Sequence, residues 1–373
     1  MPLGTTRWAL VWRPRRFADI LGQPHVVAFF NKVLTSWFET GVHLPVGVLF
    51  SGRSGVGKTT MARVLAASLN CLHRKGVEPC GKCDSCEKIF GGLGGGVFEI
   101  DASFFGNVDN IRKLREQLMS YAFAVYQVII IDECHMMSRE ASNVLLKLLE
   151  EAPKNLFFVL VTTEAYKLLE TVKSRLLEFH FQSVKNSQAV EYIKKLLTRE
   201  EVKCDELLIL KMFRMSNGNI RDIISNLEQL SIASSGEITK ETIISIFGNI
   251  FIFEQMIDFL RRGDFRAAYL LYKKETGVYA DFSLFIEGFI GAVGDAMLTV
   301  MRDGGGDVLF YDKLLSGLYR FLQGSFRLNP EASARLLFFV VMKEVVGTKQ
   351  QMNGEKKLLS SDDIFKALLD KGD

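Results

Sequence analysis

A chain of 373 residues exceeds what one compact core usually holds, so two or three domains are expected. With 48% hydrophobic and 24% charged residues it is too apolar for a disordered protein, and its seven prolines favour helix-rich domains over an extended linker. A net charge of +3 excludes a protein that coats nucleic acid through a global positive field; any such contact needs a local patch.

The N-terminus has no apolar stretch followed by a small-residue cleavage site, so no secretory signal is expected. Runs of strand length and β-branched or aromatic character follow at Val46–Phe50, Val97–Ile100, Val128–Ile131 and Leu156–Val161. Helical periodicity fills the gaps. Its clearest case is Ala141, Val144, Leu145, Leu148, Leu149 and Ala152, which stops before Pro153. Strands alternating with helices predict an α/β domain whose parallel sheet is covered on both faces.

After about Phe181 the strand runs fade. Residues 184–230 read as helices separated by Lys203-Cys204-Asp205 and by Ser216-Asn217-Gly218-Asn219. From Phe247 onward the pattern stays helical, and eleven Phe or Tyr residues lie between Phe247 and Phe289. Little positive charge accompanies them, so a helical core with a subunit interface is expected in preference to base stacking. Gly304-Gly305-Gly306 reads as a loop and 347–356 as a polar linker. A short tail helix around Ile364, Phe365, Leu368 and Leu369 follows, expected to fray or to pack on the preceding helices in preference to binding a partner. The longest apolar run, Leu336–Met342, is far short of the roughly 20 residues a membrane span needs, so the expected compartment is the cytoplasm.

Gly52-Arg53-Ser54-Gly55-Val56-Gly57-Lys58-Thr59 matches a phosphate-binding loop at every fixed position, after a strand and before the helix Thr60–Leu69. Gly52, Gly55 and Gly57 let backbone N–H groups approach phosphates, and the helix N-terminus, with Thr60, adds partial positive charge. Lys58 is placed for the β- and γ-phosphates of ATP, and Thr59 for Mg2+. About 75 residues on, Val128-Ile129-Ile130-Ile131-Asp132-Glu133 delivers two carboxylates at a strand end. Asp132 is expected to act on Mg2+ through water, and Glu133 to orient and deprotonate the attacking water.

Cys71, Cys80, Cys83 and Cys86 have the spacing of one tetrahedral Zn2+ site with no ligand position left for water, hence a structural ion; iron–sulfur ligation is the alternative. Such clustering in a long chain points to a reducing compartment. Cys134 and Cys204 are expected to be inert packing residues.

Together these residues resemble the gamma/tau ATPase subunit family of the bacterial DNA polymerase III clamp loader, within the AAA+ ATPases. The resemblance starts at Trp12-Arg13-Pro14 and Phe17-Ala18-Asp19-Ile20-Leu21-Gly22-Gln23. It continues through the phosphate loop, the four cysteines, Glu99-Ile100-Asp101-Ala102-Ser103 and Asp132-Glu133-Cys134-His135-Met136. Leu145–Glu151, Thr162-Thr163 and Ser174-Arg175 complete it; the match is dense over 12–182 and only architectural beyond about 230.

The resemblance implies an AAA+ domain at 1–182 with its zinc module at 71–86, a helical lid at 183–247 and a helical collar at 248–346. A polar linker and tail occupy 347–373, as in a short, gamma-like form. It implies Thr163 as a first sensor, Arg175 as the finger that reaches a neighbour's ATP, Arg221 as a second sensor, and Arg13 beside the adenine. Ser138, Arg139 and Lys147 resemble the DNA-tracking helix. Leu176 stands where the family usually has Cys, and Cys134 where it has a small or β-branched residue. The implied partners are delta-like and delta-prime-like subunits, copies of the chain itself, the sliding clamp, and primer–template DNA through backbone contacts. A delta-prime-like stator, a scaffold that keeps ATP without turning it over and an AAA+ helicase or branch-migration motor are the competing expectations.

Overall fold

A strand whose side chains are apolar on both faces needs cover on both. The four runs named above form strands β1 (Gly47–Gly52), β2 (Val97–Asp101), β3 (Gln127–Asp132) and β4 (Leu156–Thr162). Of these, β1, β3 and β4 are buried on both faces, while β2, at the sheet edge, carries the exposed Glu99. A fifth strand, β5 (Leu177–Phe181), completes a wholly parallel sheet of order β2-β3-β4-β1-β5. In its register Val48 lies beside Val159 on one side and Leu177 on the other. β5 is absent from the sequence expectation because Glu178 and His180 interrupt its apolar residues, as an edge strand allows. This computed structural model describes residues 7–41, 44–92, 94, 96–105, 126–153, 155–234, 236–248, 251–275, 282–303, 308–323, 337 and 340–341. The Gly304–Gly306 loop, the 347–356 linker and the tail around Ile364 lie outside them.

Helices α1 (Arg7–Val11), α2 (Pro24–Thr40), α3 (Lys58–Asn70) and α4 (Asp84–Phe90) come before β2. Helices α5 (Ala102–Phe105), α6 (Arg139–Glu150) and α7 (Glu170–Lys173) follow β2, β3 and β4. Side-chain alternation divides the core. Val48, Phe50, Val128, Ile130, Val159 and Val161 pack with Val26, Phe30 and Leu34 of α2 and with Met61 and Leu65 of α3. Leu49, Ile129, Ile131, Phe158 and Leu160 face the opposite layer, which contains Ala141, Leu145 and Leu148 of α6. α6 is capped at its start, where the Ser138 hydroxyl accepts from Ala141 N at 3.1 Å, and it ends three residues before Pro153.

Helices α8 (Asn186–Arg199), α9 (Glu206–Met215) and α10 (Ile220–Ala233) follow the sheet, broken where the sequence predicts. A minimal parallel pair, β6 (Lys203–Cys204) with β7 (Glu237–Ile238), joins them. The chain separates into two compact units, Met1–Thr239 and Lys240–Asp373. The second contains α11 (Lys240–Phe247), α12 (Ile252–Arg262), α13 (Phe265–Glu275), α14 (Phe282–Asp303) and α15 (Val308–Gln323). Its aromatic residues fill their own core, with Phe285, Phe289 and Tyr272 buried among Ile252, Met256 and Leu314. Among the described residues no single helix is long and apolar enough to cross a membrane.

Candidate active site and metal centre

The turn after β1 needs glycine for two reasons. Gly52 has φ +140°, and a Cβ there would stand 2.6 Å from the Phe181 carbonyl; Gly55 has φ +73°, and its Cβ would stand 1.8 Å from Asn219 Oδ1. Asn219 accepts from the backbone N–H groups of Arg221 and Asp222, so the cap of α10 rests directly on the phosphate loop. Lys58 is 6% exposed and its Nζ donates to the carbonyls of Gly52 and Arg53, each at 2.7 Å. Burial lowers its pKa, while Glu133 and Asp132 act in the opposite sense.

β3 is the neighbour of β4, and β4 of β1, so the ends of three adjacent strands meet where the phosphate loop begins. Thr59 Oγ1 donates to Asp132 Oδ2 at 2.8 Å, and the other oxygen of Asp132 accepts from Glu133 N at 2.9 Å. Glu133 has φ +46° and ψ +41°, a left-handed conformation whose cost is of order 1–3 kcal/mol for a non-glycine residue. Its Oε2 accepts from Thr163 Oγ1 at 3.4 Å and lies 3.4 Å from His135 Nδ1.

His135 belongs to this constellation, although in the sequence it stands only as one residue of the run Asp132-Glu133-Cys134-His135-Met136. Its imidazole side chain is 8% exposed, with Nδ1 3.0 Å from Thr162 Oγ1 and Nε2 3.2 Å from Glu164 Oε2. His135 lies three residues beyond the end of β3, and Thr162 is the last residue of the adjacent strand β4. That adjacency is the signal that points to His135 beside Thr162.

The pocket above these groups has two unlike ends. Ser54, Gly55, Gly57, Lys58, Thr59, Thr60, Asp132 and Glu133 make the polar end. Trp12, Pro14, Ile20, Leu21, Val184, Tyr192 and Ile224 supply apolar and aromatic surface. Phosphate donors beside an apolar slot are what a nucleotide needs. Arg13 and Arg221 also line it; burial first, then the nearby guanidinium groups of Arg63 and Arg221, hold Arg13 down at about 10. Tyr192, which the sequence reading missed, donates its hydroxyl to the Trp12 carbonyl at 2.5 Å, and burial pushes its pKa up to about 12.

Arg175 is not among the residues lining this pocket. Its guanidinium donates to Glu150 Oε1 at 2.6 Å and to the Thr171 carbonyl at 2.7 Å. Arg139 and Lys147 are exposed on α6, while the Ser138 hydroxyl is engaged in capping it.

Cys71 ends α3, and Cys80, Cys83 and Cys86 lie around the start of α4. Their four sulfurs lie within 4.8 Å of one another, with 3.9 Å between Cys71 and Cys83 and 4.0 Å between Cys80 and Cys86. Ligands about 2.3 Å from one tetrahedral ion stand about 3.8 Å apart, so the four thiols fit a single metal ion. The N–H groups of Lys82 and Cys83 lower the Cys80 thiol to about 6, while burial pushes Cys86 up. Four mutually close sulfurs cannot all be thiolates without a cation between them.

Residues 28–185 match the protein family described as DNA polymerase III, delta subunit. The DNA polymerase III subunit tau/gamma of Haemophilus influenzae is 35% identical over 239 residues, which are 64% of this chain and 34% of that one. The DNA polymerase III subunit tau of Bacillus subtilis is 38% identical over 232 residues, 62% of this chain and 40% of that one. The chain thus matches between about a third and two fifths of the length of these relatives. Among solved structures, the Thermotoga maritima RuvB Holliday junction branch migration motor aligns with 67% of this chain and 79% of its own, at 16% identity and a TM-score of 0.49.

Proposed function

We propose that this chain, which over its matched residues belongs to the DNA polymerase III tau/gamma family, is an ATP-driven motor subunit of a DNA sliding-clamp loader. One observation carries the reading. A phosphate-loop lysine and threonine, two carboxylates and a strand-end threonine converge at the polar end of a pocket that also offers an apolar slot. On this reading residues 1–182 are an AAA+ ATPase domain, 183–247 a lid, 248–346 a collar through which subunits assemble, and 347–373 a linker and tail.

Backbone N–H groups from Gly52 to Thr59 hold the triphosphate at the N-terminus of α3, and Lys58 reaches its β- and γ-oxygens. Thr59 and Asp132 hold Mg2+, which when bound neutralises charge on the phosphoryl oxygens. Glu133, steadied by Thr163 and His135, orients a water and takes its proton as the water oxygen bonds to the γ-phosphorus. The bond from that phosphorus to the leaving ADP oxygen breaks in the same transfer. Arg221 senses the nucleotide from the lid, and Arg13 lies beside it.

Arg175 does not line its own pocket and pairs with Glu150, which suits a finger offered to the ATP of a neighbouring subunit. ATP state is then coupled to assembly, so that the ring grips and opens the clamp and primed DNA triggers release. Ser138, Arg139 and Lys147 follow the DNA backbone without reading sequence. The cysteine module holds one structural Zn2+, since sulfurs this close surround a single ion and leave no room for an inorganic cluster. The partners are delta-like and delta-prime-like subunits, further copies of the chain, the clamp and primer–template DNA, in the cytoplasm.

The test is steady-state ATP hydrolysis by the complex reconstituted with candidate partners, with and without clamp and primed DNA, using Lys58→Ala as the blank. Stimulation that requires both clamp and primed DNA is expected. The competing reading is a delta-prime-like stator, which the delta-subunit description of the matched family supports no better than the motor. Absence of turnover under every condition would count for a stator or an ATP-retaining scaffold, against the complete set of Lys58, Thr59, Asp132 and Glu133.

A further inference from the structure

The segment from Trp12 to Leu21 forms one wall of the pocket and is tied down at both ends. On one side α8 and the residue after it hold Trp12. Tyr192 donates to its carbonyl, Glu200 Oε1 accepts from its indole N–H at 2.7 Å, and the Arg199 guanidinium lies 5.4 Å from its ring centroid. On the other side the segment is tied to the cysteine module. Glu78 accepts with both carboxylate oxygens, from Phe17 N at 2.9 Å and from Ala18 N at 3.0 Å. These are donors at the start of a short 3-10 helix, Phe17–Asp19, whose own flanking side chain does not cap it. Arg15 adds a long hydrogen bond to the Gly81 carbonyl and lies 5.5 Å from the Phe90 ring centroid.

Glu78 is itself fixed from two directions. Its backbone pairs with Lys75 in both senses at 3.1 Å, and the Val77 carbonyl between them accepts from Ser68 of α3 at 2.6 Å. Two residues later comes Cys80, whose backbone N–H donates to Cys71 Sγ at 3.2 Å. A metal ion held by the four sulfurs therefore fixes the loop that presents the Glu78 carboxylate, and Glu78 fixes the wall that carries Arg13, Pro14, Ile20 and Leu21.

We propose, resting on the nucleotide-binding reading above, that the cysteine module anchors the base-side wall of the nucleotide pocket through Glu78 and Arg15, so that metal retention and nucleotide affinity are linked. Glu78 is a positioning residue. It touches no ligand and acts through the segment it caps. Because this wall supplies Pro14, Ile20 and Leu21 to the apolar slot, the linkage is assigned to the nucleoside part of the ligand. Linkage is reciprocal, so a bound nucleotide must raise the metal affinity by the same factor.

The experiment measures by calorimetry the affinities of ATPγS and of inorganic tripolyphosphate for the wild-type chain, Glu78→Ala and Glu78→Gln, with metal content and melting temperature determined for each. Loss of two charge-assisted hydrogen bonds predicts about a tenfold weaker affinity for ATPγS in Glu78→Ala. Glu78→Gln, which keeps one acceptor, falls between that variant and the wild type. Tripolyphosphate affinity and metal content stay unchanged. In the wild type, ATPγS, unlike tripolyphosphate, lowers the fraction of metal transferred to a colorimetric chelator at equilibrium. Equal ATPγS affinity in Glu78→Ala, parallel losses for both ligands, or chelation that ignores ATPγS each overturns the linkage. A wild-type chain that binds neither ligand sinks the motor reading as well, so the two failures are distinct.

Discussion

His135 touches both the residue that would act on water and the strand that would sense phosphate. Its ring lies between Glu133, Thr162 and Glu164, and it is nearly closed to solvent. Removing the carboxylate base itself, by Glu133→Gln, is expected to lower turnover on the order of 100- to 10,000-fold while ATP still binds. His135→Ala is expected to lower turnover about tenfold at unchanged nucleotide affinity, because it loosens the carboxylate without removing it. A single-turnover assay beside an equilibrium binding titration separates these outcomes, and a parallel loss of affinity would count against the positioning role. Lys58, Thr59, Asp132 and Glu133 were legible in the sequence because each sits in a short segment whose spacing encodes its chemistry. Glu78 was not, since its partner Phe17 is 61 residues away and neither residue belongs to a ligand motif.

At the scale of elements, the three central strands are the plainest in the sequence. β1, β3 and β4 are buried nearly throughout, so they announce themselves as unbroken apolar runs. β5 hides because only Phe181 is fully buried, and its charged positions face away from the core. Phe158 is fully buried between Leu49 and α6, so Phe158→Ala is expected to cost about 3–5 kcal/mol, read from denaturant unfolding. Ser138→Ala should cost about 1 kcal/mol through loss of the α6 cap. If the same variant also weakens DNA binding by the assembled complex, the α6 N-terminus has a role beyond capping.

At the scale of the molecule, the two compact units differ in how far a sequence can be read. The first unit contains the motifs and residues 28–185, which match the DNA polymerase III delta-subunit family. The second offers a helical pattern and many aromatic side chains, which the structure uses to fill a core. Periodicity locates such helices but carries no chemistry that names a partner. The proposed division of labour between subunits predicts that Arg175→Ala leaves ATP binding by the isolated chain nearly intact and abolishes stimulated hydrolysis in the reconstituted complex. Measurable stimulation in that variant would rule out a finger in trans.

The left-handed backbone at Glu133 bears on how the protein tolerates heat. A residue that accepts this conformation more readily than glutamate does, such as asparagine, should relieve part of the strain and remove one of two adjacent carboxylates. Glu133→Asn is therefore expected to melt about 2–4 °C above the wild type while losing turnover. Directed evolution for thermal resistance alone would then enrich inactive chains, and a survival screen on this protein needs a turnover filter to keep its product useful.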